Sequence, residues 1–426
     1  NLPERIFSRD DSLDPEELWN WMDMRREEGV ESLAIPHNSN ISGGAAFSMS
    51  DYNGGPIDDA YLSKRLRNEP LVEITQAKGT SETHPFLSKN DEWAGFEAIT
   101  NHPGEKILTN LSGSYVRDAY LQGLTLQDEG RPNAFNFGVI GSSDTHVAGG
   151  SYTEETHFSK IGLLDGEPYL RGSVPFDGIY GFLAKLWQPD SMLEIDKKNY
   201  LSFSPRLIRF GSSGLAGVWA EENTRESIYN AFRRKETFGT SGPRIKVRFF
   251  AGYNFESTDL NDPDLIKDAY SKNIPMGGDI IRQKVKNPKF LVWAISDPLG
   301  APLQRVQIIK GWLTDGEQRE KVFDVACSDG QSVNPLNHRC PDNGARVNLD
   351  DCSISRDKGN AEIKTFWQDP EFSNDQEAFY YARVLENPTC RWSTWDAVRA
   401  EVDPRSDIPN IIQERAWSSP IWILDS

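Results

Sequence analysis

At Gly239-Thr240-Ser241-Gly242-Pro243 the texture of the chain changes, and this limits what either side can fold into. Beyond it come runs such as Ile245–Phe249, Phe290–Ile295 and Arg305–Lys310, punctuated by Gly, Pro and Asp. Alternation with a period of two sends every second side chain to one face, the pattern of antiparallel strands. Before it, helical stretches alternate with short apolar runs, the mark of an α/β layer. The chain has 426 residues, more than one compact core usually serves. A boundary is therefore expected near Arg244. It divides an α/β part, residues 1–244, from a mainly antiparallel, sandwich-like part, residues 245–426.

In the first part, Asp14 to Gly29 predicts a helix with Asp14 as its N-cap, Pro15 at its first position and Gly29 past its end. Asp58–Arg67, Gly113–Gln127 and Arg225–Arg234 also predict helices, the last opened by Asn223 and Glu226 at capping-box spacing. Ser32–Pro36, Leu71–Ile74 and Asn136–Ile140 predict short strands. Two of these strands hand polar residues to a loop. One delivers His37 and Asn38; the other delivers Gly141-Ser142-Ser143-Asp144-Thr145-His146.

Asp144 and His146, two apart after a strand, point to the same side. Carboxylate and imidazole are the donors a catalytic divalent metal takes. His37, Asp144 and His146 therefore read as metal ligands, with Asn38 and Ser143 beside them for substrate. The plain alternative is a surface turn, since Asp and Ser are ordinary turn residues. Glu73 lies inside an apolar strand, where a carboxylate must be paired, metal-bound or protonated unless its side of the strand faces water. Arg117 and Arg225 are candidate anion anchors that could stabilise departing charge, because a guanidinium matches oxyanions bidentately; surface ion pairing is the commoner fate of either. With Glu73 they complete the candidate catalytic set. Of the other histidines, His84 reads as solvated, His102 as a turn residue and His338 as structural, while His157 could lie near Asp144.

Lys and Arg number 46 against 64 Asp and Glu, a net charge of −18. That surplus disfavours nucleic acid and anionic membranes as partners. A small anionic substrate fits only where cations reverse the field locally. No stretch is apolar over the length a membrane-spanning helix needs. Cys327, Cys340, Cys352 and Cys390 all fall in the last quarter, in polar surroundings. Two disulfides in an oxidising compartment, periplasmic or extracellular, are expected. Three pairings are possible, and proximity in sequence favours Cys327–Cys340 with Cys352–Cys390. A zinc site would want a CxxC pair, and none is present. Dinucleotide, P-loop and nucleophile-elbow fingerprints are missing as well, which favours a metal-activated water over a side-chain nucleophile.

The strings Ile35-Pro36-His37-Asn38-Ser39-Asn40 and Ser142-Ser143-Asp144-Thr145-His146 carry a resemblance. It continues through Gly214–Glu226, Thr240–Ile245, Asp369-Pro370, Tyr380–Trp392 and Gln413–Trp422. On these residues the chain resembles the bacterial domain-of-unknown-function family three-six-zero-four, a branch of the polymerase-and-histidinol-phosphatase (PHP) superfamily. The resemblance implies a distorted (β/α)7-type barrel, incomplete at its N-terminus, holding two or three divalent ions (Mn, Zn, Fe or Ca) for phosphoester hydrolysis. It carries His37, Asp144 and His146 over as ligands and Glu73 as the strand-end carboxylate. The superfamily's opening H-x-H motif does not occur in the chain, so a further N-terminal piece of the barrel is expected to pack against residues 1–240. The function expected is a metal-dependent phosphoesterase acting on a small anionic ester. The alternatives are a sulfate-ester hydrolase and a catalytically inert, secreted binding protein.

Overall fold

In a computed structural model, residues 3, 5–98, 110–187, 190, 192–201, 207–255, 259–283 and 286–425 are described. The architecture is organised around the strand Ala378–Glu386, buried along its whole length. Its side chains alternate between two cores, as a pleated strand requires. Phe379 and Tyr381 join Trp19, Leu62, Val72, Leu124 and Phe137 on one face. Tyr380, Ala382 and Val384 join Phe249, Phe290 and Val292 on the other.

This strand lies within an eight-stranded sheet. It pairs antiparallel with Leu303–Thr314, Arg415–Ser418 and Ile421–Leu424. The sheet continues through Thr237–Thr240 to Leu215–Val218 on one side and through Leu303–Thr314 to Glu317–Cys327 on the other. A four-stranded antiparallel sheet, Glu362–Gln368, Lys289–Ile295, Lys246–Gly252 and Ile274–Pro275, covers the second core. Over the first core lie the helices Pro15–Glu27, Asp59–Asn68 and Val116–Asp128 and a three-stranded sheet. In that sheet Leu71–Gln76 runs parallel to Gly138–Gly141 and antiparallel to Gly79–Thr80.

Local chemistry explains the ends of these elements. Asp14 caps the first helix by accepting from Glu16 N at 3.0 Å, and Asp58 caps the second by accepting from Tyr61 N at 2.8 Å. The helix Arg225–Arg233 is capped by Thr224, which accepts from Ser227 N at 3.2 Å, rather than by Asn223. Disulfides join Cys327 to Cys340 and Cys352 to Cys390, the pairing expected from proximity. Two disulfides fit an oxidising compartment, and no helix among the described residues is long and apolar enough to cross a membrane.

The (β/α)7-type barrel does not form. Among the described residues about 20% are helix and 27% strand, the eight helices are short, and no sheet closes on itself. Among the described residues of the barrel region, parallel pairing is confined to Leu71–Gln76 with Gly138–Gly141. Ser32–Pro36, expected as a neighbouring strand, makes no ladder. It is tied by Ala34 N to Asn68 O at 2.8 Å and by Glu73 N to Pro36 O at 3.1 Å, and Pro36 has no N–H to return a bond. Strands from both sides of Arg244 pair in the eight-stranded sheet, so the texture change marks a step from one sheet to the other.

A buried ion network joins the layers. Arg117, on the helix Val116–Asp128, reaches Glu82 at 2.6 Å and Asp91 at 2.8 Å. Arg383, on the central strand, reaches the same two carboxylates at 3.0 and 2.8 Å. Tyr381 accepts from Arg117 Nε at 2.8 Å and donates to Glu82 at 2.7 Å. Replacing Arg383 with Met leaves two buried carboxylates facing one guanidinium. The expected loss of unfolding free energy is about 3–5 kcal/mol, read from the urea midpoint; a change under about 1 kcal/mol would contradict this account of the network.

Candidate functional site at the strand ends

Leu71–Gln76 and Gly138–Gly141 run in the same direction with Thr75 opposite Gly141, so they end at one rim. Ligands of open parallel sheets bind beyond the carboxyl ends of strands. At this rim stand the turn Gln76–Gly79 and the segment Ser142–His146. Ser142 N donates to Thr75 O at 3.0 Å and Gly214 N donates to Ser142 O at 2.8 Å, which fixes where the segment leaves the sheet. Gly141 is obligatory here, since a Cβ would stand 2.6 Å from Leu215 O and 2.7 Å from Thr240 O.

Glu73 is buried and fully paired. Its Oε1 accepts from Asn38 N at 3.2 Å and Gln76 Nε2 at 3.1 Å, and its Oε2 accepts from the Ser142 hydroxyl. One carboxylate thus ties together the loop after Pro36 and both strand ends, the pairing that its burial demands. Asn38 adopts the left-handed region, φ 55°, and its Oδ1 accepts from Gln76 Nε2 at 2.7 Å and Lys78 Nζ at 3.3 Å.

Asp144, also left-handed at φ 48°, holds two ammonium groups. Its Oδ2 lies 2.5 Å from Lys78 Nζ and 3.1 Å from Lys160 Nζ. Lys160 is buried, and its Nζ is also 3.1 Å from His146 Nδ1 and 5.4 Å from the centre of the Phe210 ring. Burial works to raise the Asp144 carboxyl, and hydrogen bonds and charge from Lys78 and Lys160 outweigh it, leaving a net lowering. Burial likewise depresses Lys160, with Asp144 opposing. His146 N donates to Lys160 O at 2.8 Å, while its ring is exposed. Its Nδ1 also lies 2.9 Å from Asp144 O; with the ring proton on Nδ1 and donated to that carbonyl, Nε2 is left as the acceptor.

The other sequence candidates fall in several places. His37 is exposed beside Asn38, and Ser143 Oγ accepts from Thr145 N at 3.3 Å. Arg117 is 1% exposed and committed to the buried network with Glu82, so it takes no part at this rim. Arg225 is exposed at the first turn of its helix. His84 is buried against Tyr115, not solvated, and burial lowers its pKa. His102 lies outside the described residues. His157 stacks on Trp392 at 4.5 Å, and His338 lies 3.8 Å from Glu371. Sequence reasoning missed Lys78 and Lys160. A lysine just past a strand end was the available signal for Lys78; nothing local singles out Lys160.

The residues present do not complete a divalent-metal site. Among the described residues no three His, Cys, Asp or Glu side chains converge on a common point, and two ammonium groups occupy the Asp144 carboxylate.

Behind the segment Phe210–Gly214 lies a second group that the sequence did not reveal. Glu154 accepts from the Ser212 hydroxyl and from Trp392 N at 2.5 Å, and it hydrogen-bonds Glu414. Glu97 lies 3.9 Å from Arg391 Nε, and its Oε1 has no hydrogen-bond partner. Burial, then the charge of Glu154, pushes the Glu97 carboxyl up to about 8 against Arg391 and Arg415.

With this geometry in place, comparison with known proteins adds one finding. The family described as "Protein of unknown function (DUF3604)" matches residues 3–425. No curated protein and no solved structure matches the chain.

The Glu97 carboxyl, raised in the folded chain, is neutral there and ionised when unfolded. Its contribution to stability is therefore fullest below the ordinary carboxylate range and is lost as pH rises through about 8. Thermal melting followed between about pH 5 and 9 should show this decline, and Glu97→Gln should flatten it. An unchanged slope in the variant would assign the decline to other groups.

Proposed function

The chain belongs to the DUF3604 family, and from that premise and the strand-end cluster we propose that it hydrolyses a small anionic ester. The observation that carries the reading is the placement of Lys160, whose buried ammonium stands 3.1 Å from both Asp144 Oδ2 and His146 Nδ1. Phosphate and sulfate esters share the same needs: positive charge for their oxygens, an oriented water and a group to take its proton. Lys78 and Lys160 bring two positive charges to Asp144, while the Glu73 carboxylate at the same rim is taken up by Asn38, Gln76 and Ser142.

In this reading Asp144 orients the two ammonium groups, and Glu73 locks the strand ends and the Asn38 loop into one rim. His146, exposed and with its Nδ1–H donated to Asp144 O, takes the proton of the attacking water on Nε2 while the ester oxygen departs. Lys78 and Lys160 face the charge that develops. Asn38, which accepts from Lys78, helps to position it. Kinship with the PHP superfamily is part of the same proposal and rests on the Asp144-Thr145-His146 corner at a strand end.

Hydrolysis of p-nitrophenyl phosphate and p-nitrophenyl sulfate tests the proposal, and the two esters separate phosphatase from sulfatase. His146→Ala and Lys160→Met are each expected to lower kcat/KM by about 100-fold or more, with the folded circular-dichroism spectrum retained. Full activity in both variants, or no hydrolysis of either ester by the native chain, would overturn it.

A further inference from the structure

A cleft of about 350 Å³ opens between Trp93, two residues beyond Asp91, and the disulfide-tied segment around Cys340. We propose that this cleft binds a small acidic sugar, of the size and chemistry of a hexuronate, at a site separate from the strand ends.

Three guanidinium groups line it: Arg305, Arg339 and Arg346. Arg305 is buried and preset. Its Nη1 donates to Asp324 at 2.8 Å, its Nε donates to Gln304 at 3.0 Å, and its guanidinium lies 5.5 Å from the Trp93 ring centre. Asp324 also accepts from Cys340 N at 2.6 Å, so the ion pair beneath the floor and the disulfide wall are one rigid piece. At the mouth, Arg339 faces Glu92 at 3.4 Å and Arg346 faces Asp342 at 2.8 Å. Both carboxylates are more than half exposed. Such exposed pairs are weak, so a ligand carboxylate can displace them.

The lining also says what else the ligand carries. A planar guanidinium matches a carboxylate through two parallel hydrogen bonds. The side-chain amides of Gln304 and Gln413 are joined to each other at 3.3 Å and form a polar edge of the cleft, and Trp93 gives a flat apolar wall. The volume suits one sugar ring rather than a chain of them. Charge, a polar amide edge and an aromatic wall together specify a hydroxylated organic anion more closely than a bare inorganic one.

Titration calorimetry on the full chain, with D-glucuronate, D-glucose and acetate as separate ligands, tests this. Glucuronate is expected to bind saturably, with glucose and acetate at least about tenfold weaker. Arg346→Gln, in an exposed side chain whose loss leaves the fold intact, should weaken glucuronate at least about tenfold, as should Arg339→Gln. Lys160→Met, at the strand ends, should leave glucuronate binding unchanged, and Arg346→Gln should leave ester hydrolysis unchanged. Failure of ester hydrolysis thus does not touch this proposal. Binding of glucose or acetate as tight as glucuronate overturns it. So does normal binding by both arginine variants, loss of binding in Lys160→Met, or no saturable binding of glucuronate.

Discussion

Two carboxylates and two guanidinium groups meet in the dry interior between the helix Val116–Asp128 and the central strand Ala378–Glu386. Burial on its own would raise the carboxyls of Glu82 and Asp91; Arg383 and Arg117 outweigh it and hold both below their ordinary range. Charges so buried tolerate no alternative geometry, because each one left alone carries a heavy desolvation cost. The loop, the helix and the strand that supply them must therefore arrive together. The loop's carbonyls also accept from the helix start, Val116 N donating to Ser81 O at 2.9 Å and Arg117 N to Glu82 O at 3.0 Å. These are donors that a helix N-terminus leaves open.

Both proposed sites draw residues from the two ends of this loop. At one end, Ser81 N bonds Ile74 O at 2.7 Å, so the loop departs from the strand whose end carries Gln76 and Lys78. At the other end, just past Asp91, Trp93 O accepts from Arg415 at 3.1 Å and its ring forms the cleft wall. The ion network therefore holds the strand-end rim to the first core and fixes the segment that supplies Trp93 to the arginine-lined cleft. A local shift in the loop would disturb both. That is why the network, which touches neither proposed ligand, matters to each.

Much of this was legible in the sequence, and the reasons are local. Asp14 announced its helix because a carboxylate two residues ahead of an open N–H group is a local device. The alternation in Ile245–Phe249 announced a strand because burial on one face leaves a period of two. Asp144 and His146 were found as neighbours at a strand end for the same reason. Pairings across the chain were not legible. Arg117 read as an anion anchor, but its partner strand lies more than 260 residues away, and nothing near Arg117 shows it. Lys160 meets Asp144 only through the fold. The barrel expectation came from resemblance to a superfamily. The strands that form instead pair mostly antiparallel, because Pro36 ends one potential neighbour and the long alternating runs behind Arg244 close on one another.

The central claim is that the ion network and the shared sheet make residues on both sides of Arg244 one cooperative structure. Differential scanning calorimetry of the native chain and of Glu82→Gln tests it directly. The account predicts one transition whose calorimetric and van't Hoff enthalpies agree, moved as a whole to lower temperature in the variant. Two transitions in the native chain, or a variant that shifts only one part of a split trace, would contradict it.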